Sequence, residues 1–89
     1  MPADAQAQVA RATEDLSRRL GVPQSDVRVV SVEGREWSDA SLGCPEPGVA
    51  YIQVITPGYL IILEAGGKRY EYHTAKSRAV LCEGGKPVK

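Results

Sequence analysis

The sequence predicts a small α+β domain in which an amphipathic N-terminal helix packs on an antiparallel β-meander of four to five strands. Three observations carry this expectation. Apolar residues near the N-terminus recur at helical spacing, and the rest of the chain is cut into short β-branched runs by glycine and proline pairs. The third is composition: the 89 residues are 43% hydrophobic and 25% charged, the balance of a globular chain with one core. A single domain over residues 1–89 is expected. A domain of this size buries a limited share of its surface, so covalent cross-links weigh heavily in its stability.

Ala5, Val9, Ala12, Leu16 and Leu20 fall on one stripe of a helix over about residues 3–20. Pro2 and Asp4 suit its start, Arg18 and Arg19 lie where the helix dipole favours cations, and Gly21 followed by Pro23 stops it. Residues 27–36 are β-branched and read as a strand with a bend or bulge near Gly34. Gly43, Pro45, Pro47 and Gly48 make the next stretch a loop. Further strands are expected over 50–56, 59–65, 68–74 and 79–82, with turns at Pro57-Gly58, at Gly66-Gly67 and at the polar stretch 75–78, and a frayed tail over 84–89.

A two-residue turn at Gly66-Gly67 places Leu63 opposite Tyr70, Ile61 opposite Tyr72 and Glu64 opposite Arg69. The same rule at Pro57-Gly58 places Val54 opposite Ile61 and Ile52 opposite Leu63. One face then holds Ile52, Val54, Tyr59, Ile61, Leu63, Tyr70 and Tyr72 and receives the helix. The other face collects Tyr51, Gln53, Ile55, Leu60, Ile62, Glu71 and His73. Tyr51, Ile55, Leu60, Ile62 and His73 on it form a candidate interface patch, to be covered by a loop, a second subunit or a neighbouring domain.

Eleven basic residues balance eleven acidic ones without blocks of either sign, so no footprint for nucleic acid or anionic lipid is expected. No apolar run has the length of a membrane span, and residues 1–8 lack the basic start and apolar stretch of a signal peptide. Cys44 and Cys82 form no CxxC or Cys/His cluster with metal-ligand spacing, so neither a metal site nor a cofactor is expected. Two readings of the pair stand: buried free thiols of a cytosolic protein, or a single disulfide of an exported domain, which small size and even count favour. Under the second, the chain is a mature or trimmed fragment.

Catalysis would have to pass through His73, the sequence's one histidine. Pairs such as Cys44/His73, or Ser41 with His73 and Asp39, can be written from residue types. A lone strand histidine beside Leu60 reads more simply as a structural hydrogen-bonding residue, and no catalytic residue and no enzymatic activity are expected. Gly66-Gly67 and Gly84-Gly85 do not open a helix after a strand, as a phosphate-cradling loop must. Glu33 with Glu36 and Glu64 with Glu71 read as solvated strand charges, Tyr70 and Tyr72 as core, and Trp37 as a plug beneath the loop.

The segments SLGCPEPG at 41–48, YIQVITPGY at 51–59 and YEYHT at 70–74 resemble a small bacterial domain found in exported and lipid-anchored proteins, for which no function is assigned. That resemblance implies an extracytoplasmic location (a secreted, periplasmic or lipid-anchored parent) and a bridge between Cys44 and Cys82. It brings no catalytic residues. The order of elements is also loosely similar to PepSY-like domains, for which a protease-regulating role has been proposed; fold alone does not fix function.

The loop from Ser38 to Val49 is the expected working surface, with Trp37, Asp39, Ser41, Leu42, Pro45, Glu46 and Pro47 as candidate binding residues. A loop stiffened by proline and held by a half-cystine loses little entropy on docking, as in the substrate-like loops of protease inhibitors. The sequence therefore points to a non-catalytic binding or inhibitory module whose partner is another protein or domain. The alternatives are an accessory structural domain that docks a neighbour or forms a homodimer, and a loop that simply seals the core.

Overall fold

A computed structural model describes residues 3–89. Pro2, expected at the helix start, lies outside the described residues. Helix α1 runs Ala3–Leu20, and the strands are β1 Arg28–Trp37, β2 Thr56–Ala65, β3 Lys68–Ala75, β4 Arg78–Glu83 and β5 Lys86–Pro87. Every neighbouring pair is antiparallel and the sheet order is β1-β2-β3-β4-β5, a meander with α1 on one face. This is the α+β fold anticipated from the pattern. Among the described residues no helix is long and apolar enough to cross a membrane.

α1 buries Ala5, Gln8, Ala12 and Leu16. Leu20, counted with the apolar stripe, stays exposed because it sits at the helix end, beyond the sheet's cover. Gln8, off that stripe, is buried because its side-chain oxygen accepts the Thr74 hydroxyl proton. Gly21 takes φ +67° and the N–H groups of Gly21 and Val22 both reach the Ser17 carbonyl, the left-handed stop that glycine permits. The core joins Ala12 and Leu16 to Ile61, Leu63, Ala65, Tyr72 and Leu81.

The Gly66-Gly67 turn, with both residues at positive φ, sets the β2–β3 register at Leu63↔Tyr70, Ile61↔Tyr72 and Glu64↔Arg69, as the hairpin rule requires. The expected strand at 50–56 does not form. β2 has only two ladder edges: β3 takes one, and β1, pairing from Arg28↔Glu64 to Trp37↔Thr56, takes the other. Residues 50–55 are left without a ladder, and Ile52 and Val54, assigned to the helix face, are exposed.

Pro57-Gly58 is likewise no turn but lies within β2. β3 pairs only from Tyr59 onward, so Pro57 sits outside the doubly paired part of the strand, where a missing N–H is tolerated. Gly58 is required there: a Cβ would stand 1.8 Å from the Thr74 carbonyl oxygen and 3.0 Å from the Trp37 indole nitrogen. The register irregularity expected near Gly34 falls between Val29 and Ser31, and Gly34 pairs regularly with Tyr59. The tail is not frayed. Gly84 and Gly85 turn it back as β5, Val88 N–H donates to the Leu81 carbonyl at 2.8 Å, and Val88 packs on the core.

Candidate functional site

β2 carries four consecutive apolar residues, Leu60 to Leu63, a sequence suited to a strand covered on both faces. α1 covers one face, and the crossing segment 38–55 covers the other. Trp37, Leu42 and Ala75 form a second buried cluster there, with Leu60 and Val80 packed against it. The Asp39 carboxylate accepts from the Ser41 N–H at 2.9 Å and the Ser41 hydroxyl at 2.5 Å, a local turn that points the chain inward. Those bonds, the hydroxyl's first, hold the Asp39 carboxyl below its ordinary range. Leu42 then adopts φ +58°, a left-handed conformation unusual for leucine, with its side chain fully buried.

Trp37 and His73 stack with ring centroids 4.6 Å apart and planes 9° off parallel. The Trp37 indole N–H donates to the Thr74 carbonyl at 3.1 Å. His73 Nδ1 lies 2.6 Å from the Leu42 carbonyl oxygen, which can only accept, so that nitrogen carries the proton of this bond. Nε2 lies 2.6 Å from the Glu71 carboxylate. Cys44 and Cys82 are joined in a disulfide with their Cα atoms 6.1 Å apart, and Cys82 Sγ is 3.8 Å from His73 Nδ1. His73 is therefore a buried hydrogen-bonding residue that locks the loop to β3.

The sequence-predicted residues divide. Trp37, Ser41 and Leu42 turn inward and are buried, and Asp39 is half-buried; these four hold the loop rather than present it. Pro45 and Pro47 face solvent, with Glu46 half-buried between them. The continuous interface patch does not exist: His73 is buried, Leu60 lies under the loop, Tyr51 and Ile62 are half-buried, and only Ile55 is exposed. The covering loop, one of three occupants considered for that face, supplies the reason. Glu71 is not a plain solvated charge, since it grips His73.

The residues of the two arrangements written from residue types have partners in the fold. Cys44 is a half-cystine with no thiol to attack, and the Ser41 hydroxyl is given to Asp39 while His73 is given to Leu42 and Glu71.

Sequence reasoning named Ile55 for the patch and missed Val49, Ile52 and Val54, which lie with it in the outer part of the segment. Val49, Ile52, Val54 and Ile55 are 47%, 75%, 52% and 67% exposed. They sit on a loop that is tied down. Cys44 anchors one end and β2 the other, the Tyr51 hydroxyl accepts the Glu46 N–H at 3.0 Å, Ala40 N–H donates to the Ile52 carbonyl at 3.0 Å, and Glu46 pairs with Lys89. Their one signal in the sequence is an apolar run, VAYIQVI, bracketed by Pro-Gly pairs, which a strand shares. The arrangement presents branched apolar groups on a fixed backbone.

Searches of curated proteins and of solved structures found no match. A family model does match, over residues 9–82, from the helix through the second half-cystine and including all of the loop. The chain belongs to the family described as Domain of unknown function (DUF8738).

Proposed function

We propose that the chain is a non-catalytic binding module whose contact surface is the outer part of the disulfide-anchored loop, Pro45 to Ile55. The observation that carries this is the exposure of Val49, Ile52, Val54 and Ile55 on a backbone fixed by the Cys44–Cys82 bond, by the Glu46–Lys89 ion pair and by hydrogen bonds within the loop. Burying a branched side chain contributes about 1.5–3 kcal/mol, and a tethered loop gives up little backbone freedom on docking. The partner is a protein with an apolar concavity, and inhibition of a protease is one form such binding takes.

A cysteine pair at disulfide geometry supports an oxidising setting, hence a secreted, periplasmic or lipid-anchored parent. The test is affinity selection from an extracytoplasmic extract with paired baits, the wild type and an Ile52→Asp/Ile55→Asp variant, alongside titration of a protease panel. A partner or protease held by the wild type and released by the variant supports the reading. Indistinguishable retention by the two baits, with no protease inhibited, sinks it.

A second reading, an accessory domain that docks a twin copy, is favoured by β1. This ten-residue strand forms the edge of the sheet, and an edge strand is a template for antiparallel pairing. Light scattering decides it: a concentration-dependent dimer supports docking, and a monomer at high concentration removes it.

A further inference from the structure

We propose that reduction of the Cys44–Cys82 bond turns the inner end of the loop into a binding site for a thiophilic tetrahedral cation of the Zn2+ class, with both sulfurs and His73 Nδ1 as ligands and Glu71 as the residue that positions the imidazole. This does not rest on the binding role of the outer loop.

Three elements bring the donors together. Cys44 comes from the loop, His73 from β3 and Cys82 from β4, and Cys82 lies opposite Glu71 in the β3–β4 register, on the same face as His73. The donor atoms of Glu71, His73 and Cys82 all lie within 4.8 Å of one another. Zn–S and Zn–N bonds of usual length at a tetrahedral angle separate sulfur from nitrogen by about 3.6 Å. Cys82 Sγ and His73 Nδ1 are 3.8 Å apart already. The two sulfurs must part from bonding distance to about 3.8 Å, about 0.9 Å of movement each, which is within side-chain rotation.

The imidazole is already oriented. Its Nε2 faces the Glu71 carboxylate at 2.6 Å, the carboxylate–histidine arrangement that fixes the tautomer of metal-bound histidines and leaves the opposite nitrogen for the cation. Stacking on Trp37 fixes the ring plane. In the disulfide form Nδ1 donates to the Leu42 carbonyl at 2.6 Å; the cation takes the place of that hydrogen bond, and the oxygen has to withdraw to about 3.4 Å from Nδ1, the separation of two ligands at a tetrahedral angle.

Charge favours the same outcome. Cys44, Cys82 and His73 are all buried, and two thiolates there are costly unless a dication cancels them. The steps balance. A dithiol reductant delivers two electrons and two protons to the S–S bond and is itself oxidised to a cyclic disulfide, leaving Cys44–SH and Cys82–SH. The cation then displaces three protons to solvent, one from each thiol and one from His73 Nδ1, whose bond to the Leu42 carbonyl is given up.

The test uses the full chain reduced with dithiothreitol, freed of reductant without air, and titrated with Co2+ as a spectroscopic probe and then with Zn2+. The expected result is tetrahedral cobalt absorption and thiolate charge transfer saturating at one equivalent, bleached by Zn2+ and absent from the disulfide form. Glu71→Gln, a change at an exposed side chain, is expected to keep the spectrum and weaken affinity about tenfold or more. His73→Ala is expected to lose the tetrahedral spectrum. Absence of that absorption in the reduced wild type overturns the proposal, and so does equal affinity in wild type, Glu71→Gln and His73→Ala, because flexible thiolates alone would then account for binding.

Discussion

Replacing Leu42 with alanine tests whether the loop is a structural wall or a strap lying on the surface. Leu42 is fully buried and belongs with Trp37 and Ala75 to the cluster beneath the loop. Truncation of a fully buried leucine costs about 2–5 kcal/mol, transfer and cavity combined. Both leucine and alanine bear a Cβ at the left-handed φ of this position, so the strain is common to both and the difference reports packing. We expect about 3 kcal/mol, a large share of the 5–13 kcal/mol that is ordinary for about 90 residues. That corresponds to a fall in Tm of about 12–24 °C.

Urea unfolding followed by the fluorescence of Trp37, the sequence's one tryptophan, reads the change directly, with a lowered midpoint at unchanged slope. Leu42→Gly removes the same side chain but fits the left-handed backbone, and should lie about 1 kcal/mol above the alanine variant. A loss under about 1 kcal/mol for Leu42→Ala would refute the reasoning, because it would mean that the loop does not seal a core.

Further expectations follow from the same geometry. Removing the bridge by Cys44→Ala/Cys82→Ala opens a loop of 38 residues and should cost about 4 kcal/mol by the chain-entropy relation, measured by thermal unfolding with and without reductant on the wild type. Gly58→Ala should destabilise by about 2–4 kcal/mol or prevent folding, since its Cβ would collide with the Thr74 carbonyl; circular dichroism of the expressed variant reads this. Burial, with the hydrogen bond to Asp15 at 2.6 Å, pushes the Tyr72 hydroxyl well above the tyrosine range. The unfolded chain therefore releases this proton at about pH 10 while the folded chain keeps it, and stability should fall as pH rises past that point. Tyr72→Phe should flatten this alkaline slope in denaturation curves taken across the range. Ile52→Asp/Ile55→Asp should leave the midpoint within about 0.5 kcal/mol of wild type, as changes at exposed positions do.

Much of the architecture is local enough to be legible in the chain. The α1 stripe from Ala5 to Leu16 follows from helical period, and the stop at Gly21 from its freedom at positive φ. The β2–β3 register follows from the glycine pair, because a two-residue turn leaves a single parity for the flanking side chains. The candidate site was read less well. The inward half of the loop was anticipated as a set of residues but not in its orientation, since nothing in a Pro/Gly-rich stretch says which side chains face the sheet. Val49 to Ile55 carried a strand's composition and became the exposed surface.

The sequence by itself determined a helix with one apolar side and a tight glycine hairpin, and it placed two cysteines in a chain too short to be indifferent to a bond between them. It also signalled, through the unbroken apolar run at Leu60 to Leu63, that this strand needed cover on both faces. Only tertiary structure decided which segment takes each edge of that strand, and so which is left outside. Strand pairing is a competition between distant segments for a limited number of hydrogen-bonding edges, and β1, long enough to match β2 from end to end, occupies the edge that residues 50–55 would have used. The same packing set Glu71, His73 and Cys82 beside one another, a neighbourhood that spacing along the chain does not encode.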